Sequence, residues 1–321
     1  MIHSIKSLLK AGALGALAIT APLMAAAEGF PDRPMSLIFF FPSGGSGDAQ
    51  ARAAAHGLSQ ILGGNMVVRN VEGGAGTVGL VGMMHDAPDG YTLGFLPEGL
   101  ATVQPMRNPL PYTFESFDHI CKLTFMPVAL FGSSAAPYHN LQELAAYAQD
   151  HDIVYGHPGV GTVPHLAMEA FMQAAGIHAR SVPFNGDGPG TAALRGGHID
   201  LYVAGSPATN VLSGDDTQVL GVFGNQRLAN VPDVATAPEQ GYDVTAGVAF
   251  GISGPHGIDP QVRQTLTDAC HTLSESPEFI ESVHNLTAVV DYADGQGFED
   301  YLRQREAVYR ELLTSIGLIG G

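Results

Sequence analysis

The chain has 321 residues, 45% hydrophobic and only 14% charged, enough apolar material for one large or two medium globular domains and too much for intrinsic disorder. Its charge is lopsided: 14 Lys and Arg stand against 31 Asp and Glu, a formal net charge of -17 at pH 7. Such a surface repels nucleic-acid phosphates and anionic membranes at long range, which excludes a general nucleic-acid role.

Lys6 and Lys10 precede an Ala/Leu/Gly run ending in Met24, Ala25, Ala26 and Ala27. A basic start, a short apolar stretch and an A-x-A ending predict a cleaved secretory signal over residues 1–27, hence a periplasmic chain beginning at Glu28. The alternative is a membrane anchor, for which the stretch, broken by Pro22, is short. Export permits disulfides, so Cys121 and Cys270 read either as a bridge closing a loop of about 150 residues or as two buried thiols. The compartment favours the bridge.

Residues 36–41 form a continuous apolar run, as expected of a strand buried on both faces. Beyond a Gly/Ser loop, Ala51, Ala55, Leu58 and Leu62 recur at helical spacing over 48–62. A second strand at 66–69, a glycine-rich loop at 73–79 and a short helix follow, and the Asp89-Gly90 turn leads into a strand at 91–96. A strand over 120–131 crosses into a second block. There Asn140 and Glu143 have capping-box spacing, 153–155 is a strand, and 164–175 is a helix with Pro164 in its first turn and Gly176 past its end. A strand at 181–184, a helix around Thr191 and strands at 199–203 and 219–223 complete the block. The tail reads strand 244–252, helix 260–274 opened by Asp259 and Pro260, strand 288–291 and helix 298–315. Repeated strand–loop–helix units predict an α/β fold of two lobes, each a mostly parallel sheet flanked by helices.

Four glycine-bearing loops each follow a strand and precede a helix, at 42–48, 73–79, 157–164 and 185–190. In open α/β sheets the ligand crevice lies at the carboxyl ends of the strands, and free N–H groups at helix N-termini there accept carboxylate or phosphate. Any one such loop could be a tight turn, and Asp48 could simply cap its own helix. Gly74, Gly76 and Gly79 also satisfy G-x-G-x-x-G, with Glu98 about 20 residues on where a ribose-binding acid belongs, so an exported NAD(P)-dependent oxidoreductase is an alternative. Other catalytic motifs are missing: the chain contains no G-x-S-x-G, H-E-x-x-H or P-loop GK[ST]. The densest histidines, His151, His157 and His165, lack Cys or Glu at metal-like spacing.

These loops together resemble the extracytoplasmic solute receptors of tripartite tricarboxylate transporters, the Bug/TctC family. The resemblance spans the mature chain. It is carried by Phe30 to Pro34, Ser43 to Asp48 with Ala51 and Arg52, Gly73 to Gly76, Pro88 to Leu93, Gly159 to Thr162 with His165, Val182 to Phe184 with Gly186, Gly196, Gly197, Asp200 and Leu201, and Val231 to Val234. It implies a two-lobed periplasmic binding fold, type II-like, with residues 28–123 and 222–321 in one lobe and 124–221 in the other. It further implies capture of a small carboxylate without catalysis or cofactor, delivery to membrane transporter components or to a sensor, and a monomeric state. By resemblance the ligand meets Ser43, Gly44, Gly45, Ser46 and Gly47 in the first loop and Gly159, Gly161, Thr162, Val163 and His165 in the third. Asn185 stands where relatives often carry Lys, and Ala204 where many carry an Asp able to hold a ligand ammonium, which disfavours an amino-acid ligand. Phe95, Leu96 and Val203 are expected to make the distal pocket apolar.

Overall fold

The computed structural model describes residues 29–320; the expected signal at 1–27 lies outside them. The first apolar run becomes β1 (Met35–Phe39), flanked in parallel by β2 (Met66–Asn70) and β3 (Thr92–Pro97). Parallel neighbours need crossovers, which α1 (Ser46–Leu62) and α2 (Thr77–Met84) supply. α1 buries Ala51, Ala54, Ala55 and Leu58, the three-to-four spacing of an amphipathic helix.

β3 then pairs antiparallel with β9 (Gly247–Pro255), which pairs antiparallel with β4 (Phe117–Ser133). β10 (Val289–Asp294) lies antiparallel on the first half of β4. At 17 residues β4 outlasts one set of partners. Through Pro127 it follows β9; from Val128 to Ser133 it pairs with β7 (Leu201–Gly205) and β8 (Thr217–Phe223). Pro127, with no N–H to contribute to a ladder, stands where the partners change. Beyond β7, β5 (Val154–His157) runs parallel to it and to β6 (Arg180–Pro183), with α5 (Val163–Ala175) and α6 (Asp187–Arg195) as crossovers. Strand order is thus parallel among β1–β3 and among β5–β7, while β4, β8, β9 and β10 enter antiparallel and make the sheet mixed.

The predicted helix 260–274 coincides with α8 (Pro260–Ser274). The strand expected from 244 begins only at Gly247, because Val244, though buried, bonds Tyr242 rather than a neighbouring strand. The Asn140 side chain accepts the Glu143 N–H at the start of α4 (Leu141–Tyr147), and the Glu143 carboxylate in turn accepts the N–H of His139. Three helices among the described residues are not evident in the sequence, of which α7 (Thr209–Leu212) is a single turn. α9 (Pro277–Asn285) is obscured by Pro277, which sits harmlessly at the first helical position behind the capping Ser276. α3 (Glu98–Arg107) is hidden when Glu98 is taken as a strand-end acid; it packs against the terminal α10 (Gly295–Ser315). Cys121 of β4 and Cys270 of α8 are joined, with their Cα atoms 6.5 Å apart.

Candidate ligand cleft

The carboxyl ends of β1, β3, β5 and β6 open onto one cavity between the two strand groups, enclosing about 810 Å³ of space with the open mouth included. Four helices point their first turns into it: α1 through Gly45, Ser46 and Gly47, α3 through Pro97 and Gly99, α5 through Thr162 and Val163, α6 through Gly186 and Asp187. In none of these four does the N-cap residue's own side chain accept a helix N–H, although at α1 the Ser46 N–H faces the Asp187 carboxylate. By contrast α4, α8, α9 and α10, which start elsewhere, are capped by Asn140, Asp259, Ser276 and Asp294. Uncapped N-termini carry unsatisfied donors and the positive end of the helix dipole, so their convergence makes a seat for an anion.

Most of the remaining wall is apolar: Phe39, Phe41, Met126, Val248 and Phe250 line it beside Ser43 and Gln104, and no Lys, Arg or His is among the described residues that line it. Phe39 presses so closely on the first turn of α1 that a Cβ on Gly47 would lie 2.5 Å from its ring, so this position admits only glycine without a shift of the ring. Phe95, Leu96 and Val203 are fully buried and do not line the cavity; Phe95 stacks behind Phe250 with ring centres 5.0 Å apart. The cavity is apolar, but through other residues than those anticipated.

Of the expected contact residues, the structure brings Ser43, Gly45, Ser46, Gly47, Thr162 and Val163 together on the cavity. The Gly44 N–H is instead donated to Asp48 (2.9 Å). Asp48 is not the N-cap but the third helical residue. Burial works against its charge, yet Arg52, the Gly44 N–H and Asn70 outweigh that and hold its carboxyl below the usual range. The Ser46 hydroxyl donates across the cleft to Asp187 (2.8 Å), and the Thr162 hydroxyl donates to the Gly159 carbonyl (2.8 Å). Ser43, exposed at the mouth, has no such commitment among the described residues.

His165 is turned into the protein rather than the cavity. Its Nδ1 accepts the Gly161 N–H (3.1 Å), and His157 does the same for Gly159 (3.3 Å); the two rings lie 4.2 Å apart. The pair therefore shapes the 158–162 loop from beneath, giving its N–H groups internal partners. Gly159 and Asn185 border a neighbouring cleft with Arg107, whose guanidinium donates to the Val160 carbonyl (3.1 Å). Asn185 also bridges the two strand groups by donating to Glu72 (2.9 Å). Ala204 is buried in the cluster around Phe131 and Tyr202, away from the cavity.

Burial pushes the His157 imidazole down to about 3 from 6.5, as its accepting role at Nδ1 requires. The unfolded chain consequently binds a proton that the fold refuses, and stability falls as pH drops below about 6.5 towards about 3. At about 1.4 kcal/mol per pH unit, His157 should cost on the order of 2 kcal/mol between pH 6.5 and 5. Urea unfolding at the two pH values should show this loss in the wild type and a smaller one in His157→Gln.

The dinucleotide alternative loses its acid. Glu98, at the start of α3, is fully buried and faces Arg305 (3.6 Å) and the hydroxyl of Tyr309, not the cavity. Burial pushes its carboxyl up, while Arg305, Tyr301 and Tyr309 hold its charge against that.

A family profile described as TctC, tripartite tricarboxylate transporter family receptor, matches residues 50–318. The chain belongs to this receptor family. Its relatives include the UPF0065 protein in the gbd 5' region of Cupriavidus necator, 30% identical over 96% of this chain and 95% of that one. Among solved structures it is similar to the periplasmic binding protein BugD, with a TM-score of 0.85 and 26% identity over 90% of this chain and 99% of that one. It is also similar to MatC from Rhodopseudomonas palustris with bound malate, with a TM-score of 0.83 and 25% identity over 88% of this chain and 100% of that one. The α/β architecture is that of the two-lobed periplasmic binding proteins, and the chain is a periplasmic solute-binding receptor of the TctC/Bug type.

Proposed function

We propose that this receptor captures a small carboxylate between its two lobes and presents it, as a monomer, to membrane components of a tripartite tricarboxylate transporter. The observation that carries this reading is the convergence of four helix N-termini without N-cap side-chain bonds, two from each strand group, on one largely apolar cavity with no cation among its described lining residues. A carboxylate finds oriented N–H donors there, while its carbon skeleton finds Phe39, Phe41 and Phe250. Bound malate in MatC supports the carboxylate class.

The lobes exchange chain at two places. One is Pro127–Val128, where β4 changes partners. The other lies at 246–247: Val222 still bridges to Thr236, and the Ala246 N–H still reaches the Phe223 carbonyl, before β9 begins. Residues 222–246 accordingly move with the middle block in this proposal. A ligand contacting both lobes stabilises the closed form by its differential affinity. A thermal-shift screen of the purified protein against mono-, di-, tri- and aromatic carboxylates, with NAD(P) alongside, should give a saturable rise with one carboxylate class. A rise with NAD(P) alone would overturn the reading.

A further inference from the structure

Among the described residues the cavity wall contains a single ionisable side chain, and it is an acid: Asp187, the first residue of α6. For a pocket that takes carboxylates from a chain of net charge -17 this is an unexpected group to keep: burial pushes its carboxyl up, while hydrogen bonds from Ser46 and Tyr202 hold its charge against that. It is also firmly placed. The Tyr202 hydroxyl donates to one carboxylate oxygen (3.1 Å) and the Ser46 hydroxyl to the other (2.8 Å), so one donor from each side of the cleft aims it. Tyr202 is itself locked, fully buried against α6 at Gly190, where a Cβ would lie 2.1 Å from its ring.

The Ser46 N–H also faces this carboxylate, but its two oxygens offer about four acceptor sites, so the aimed group retains acceptor capacity. The other polar side chains of the wall do not offset its charge. Gln104 donates its amide to the Val160 carbonyl (2.9 Å), Thr162 donates to Gly159, and the nearby Arg107 belongs to the neighbouring cleft. A ligand carboxylate placed next to Asp187 would meet like charge in an apolar, poorly screened space, so the ligand's anionic end belongs at the other helix termini. The part of the ligand facing Asp187 must then bring a hydrogen.

We infer that Asp187 is a specificity-determining residue that selects carboxylates bearing a hydrogen-bond donor, a hydroxyl or an ammonium, over the unsubstituted acids. The inference rests on the receptor reading above and narrows its ligand class. A donor-bearing acid gains a charge-assisted hydrogen bond, whereas the unsubstituted analogue leaves the carboxylate facing a methylene. The acid that Ala204 fails to provide is thus supplied from α6, and an amino-acid ligand regains a counter-charge.

Titration calorimetry with matched sets on one skeleton tests this: succinate, malate and aspartate, then 3-phenylpropanoate, 3-phenyllactate and phenylalanine. In at least one set a donor-bearing member should bind at least tenfold tighter than the unsubstituted acid, and comparing hydroxyl with ammonium shows which donor is used. Asp187→Asn, with Asp187→Ala as a second variant should the first fold poorly, should shrink that ratio to about threefold or less. A wild-type ratio near one overturns the inference without any variant, and so does a ratio that survives both substitutions. Binding of no carboxylate at all instead overturns the receptor reading on which the inference stands.

Discussion

Replacing Cys121 and Cys270 together by alanine should lower the free energy of unfolding by about 4–5 kcal/mol. The bridge spans a sequence separation of 149, and releasing it returns to the unfolded chain the entropy of an uncrosslinked loop of that length. It also ties α8 to β4, the strand shared by both groups, so its loss loosens the element on which the lobes are hung. Both positions are buried and apolar, and alanine leaves no unpaired hydroxyl behind as serine would. For a chain of this size the loss corresponds to a fall in Tm of about 10 °C. Denaturant unfolding of the double variant beside the wild type measures it; an unchanged midpoint would show that the crosslink contributes nothing.

Glu98→Gln should cost about 3 kcal/mol, at the lower end for breaking a buried ion pair. The carboxylate is fully buried, and removing its charge leaves the Arg305 guanidinium without its counter-ion at the α3–α10 contact. The lower end applies because the Arg305 side chain retains 25% exposure and part of its charge can turn to water. Adding Arg305→Met should restore at least half of the loss, since the stranded cation is what costs most. If the double variant is no more stable than the single one, the cost lies in the hydrogen bond to Tyr309 instead.

Glu98 also illustrates how far the site is legible in the sequence. Its distance from the glycine fingerprint matches a ribose-binding acid, yet spacing along a chain does not say which way a side chain faces, and α10 arrives from about 200 residues away to cover it. Asp187 is inconspicuous for the opposite reason. It stands in the 185–190 loop, where the resemblance singles out Asn185 instead, and only the tertiary packing of Tyr202 and Ser46 against it makes it part of a wall. His165 is expected at the ligand from the family resemblance, but the helix that carries it turns the ring inward to hold Gly161.

What the sequence by itself determined is the local and the periodic: apolar runs and helical spacings give the strand–loop–helix units, and the glycines mark the loops where strands end. The composition excluded nucleic acid, and the ordered set of motifs pointed to the receptor family to which the chain belongs. What only the tertiary structure decided is which donors remain available. Backbone N–H groups are chemically alike from residue to residue, so whether one is left for a ligand depends on what the rest of the chain brings to it. In this receptor Asp48, His157 and His165 take three of the expected donors, while four helices are left without N-cap side-chain bonds where they meet.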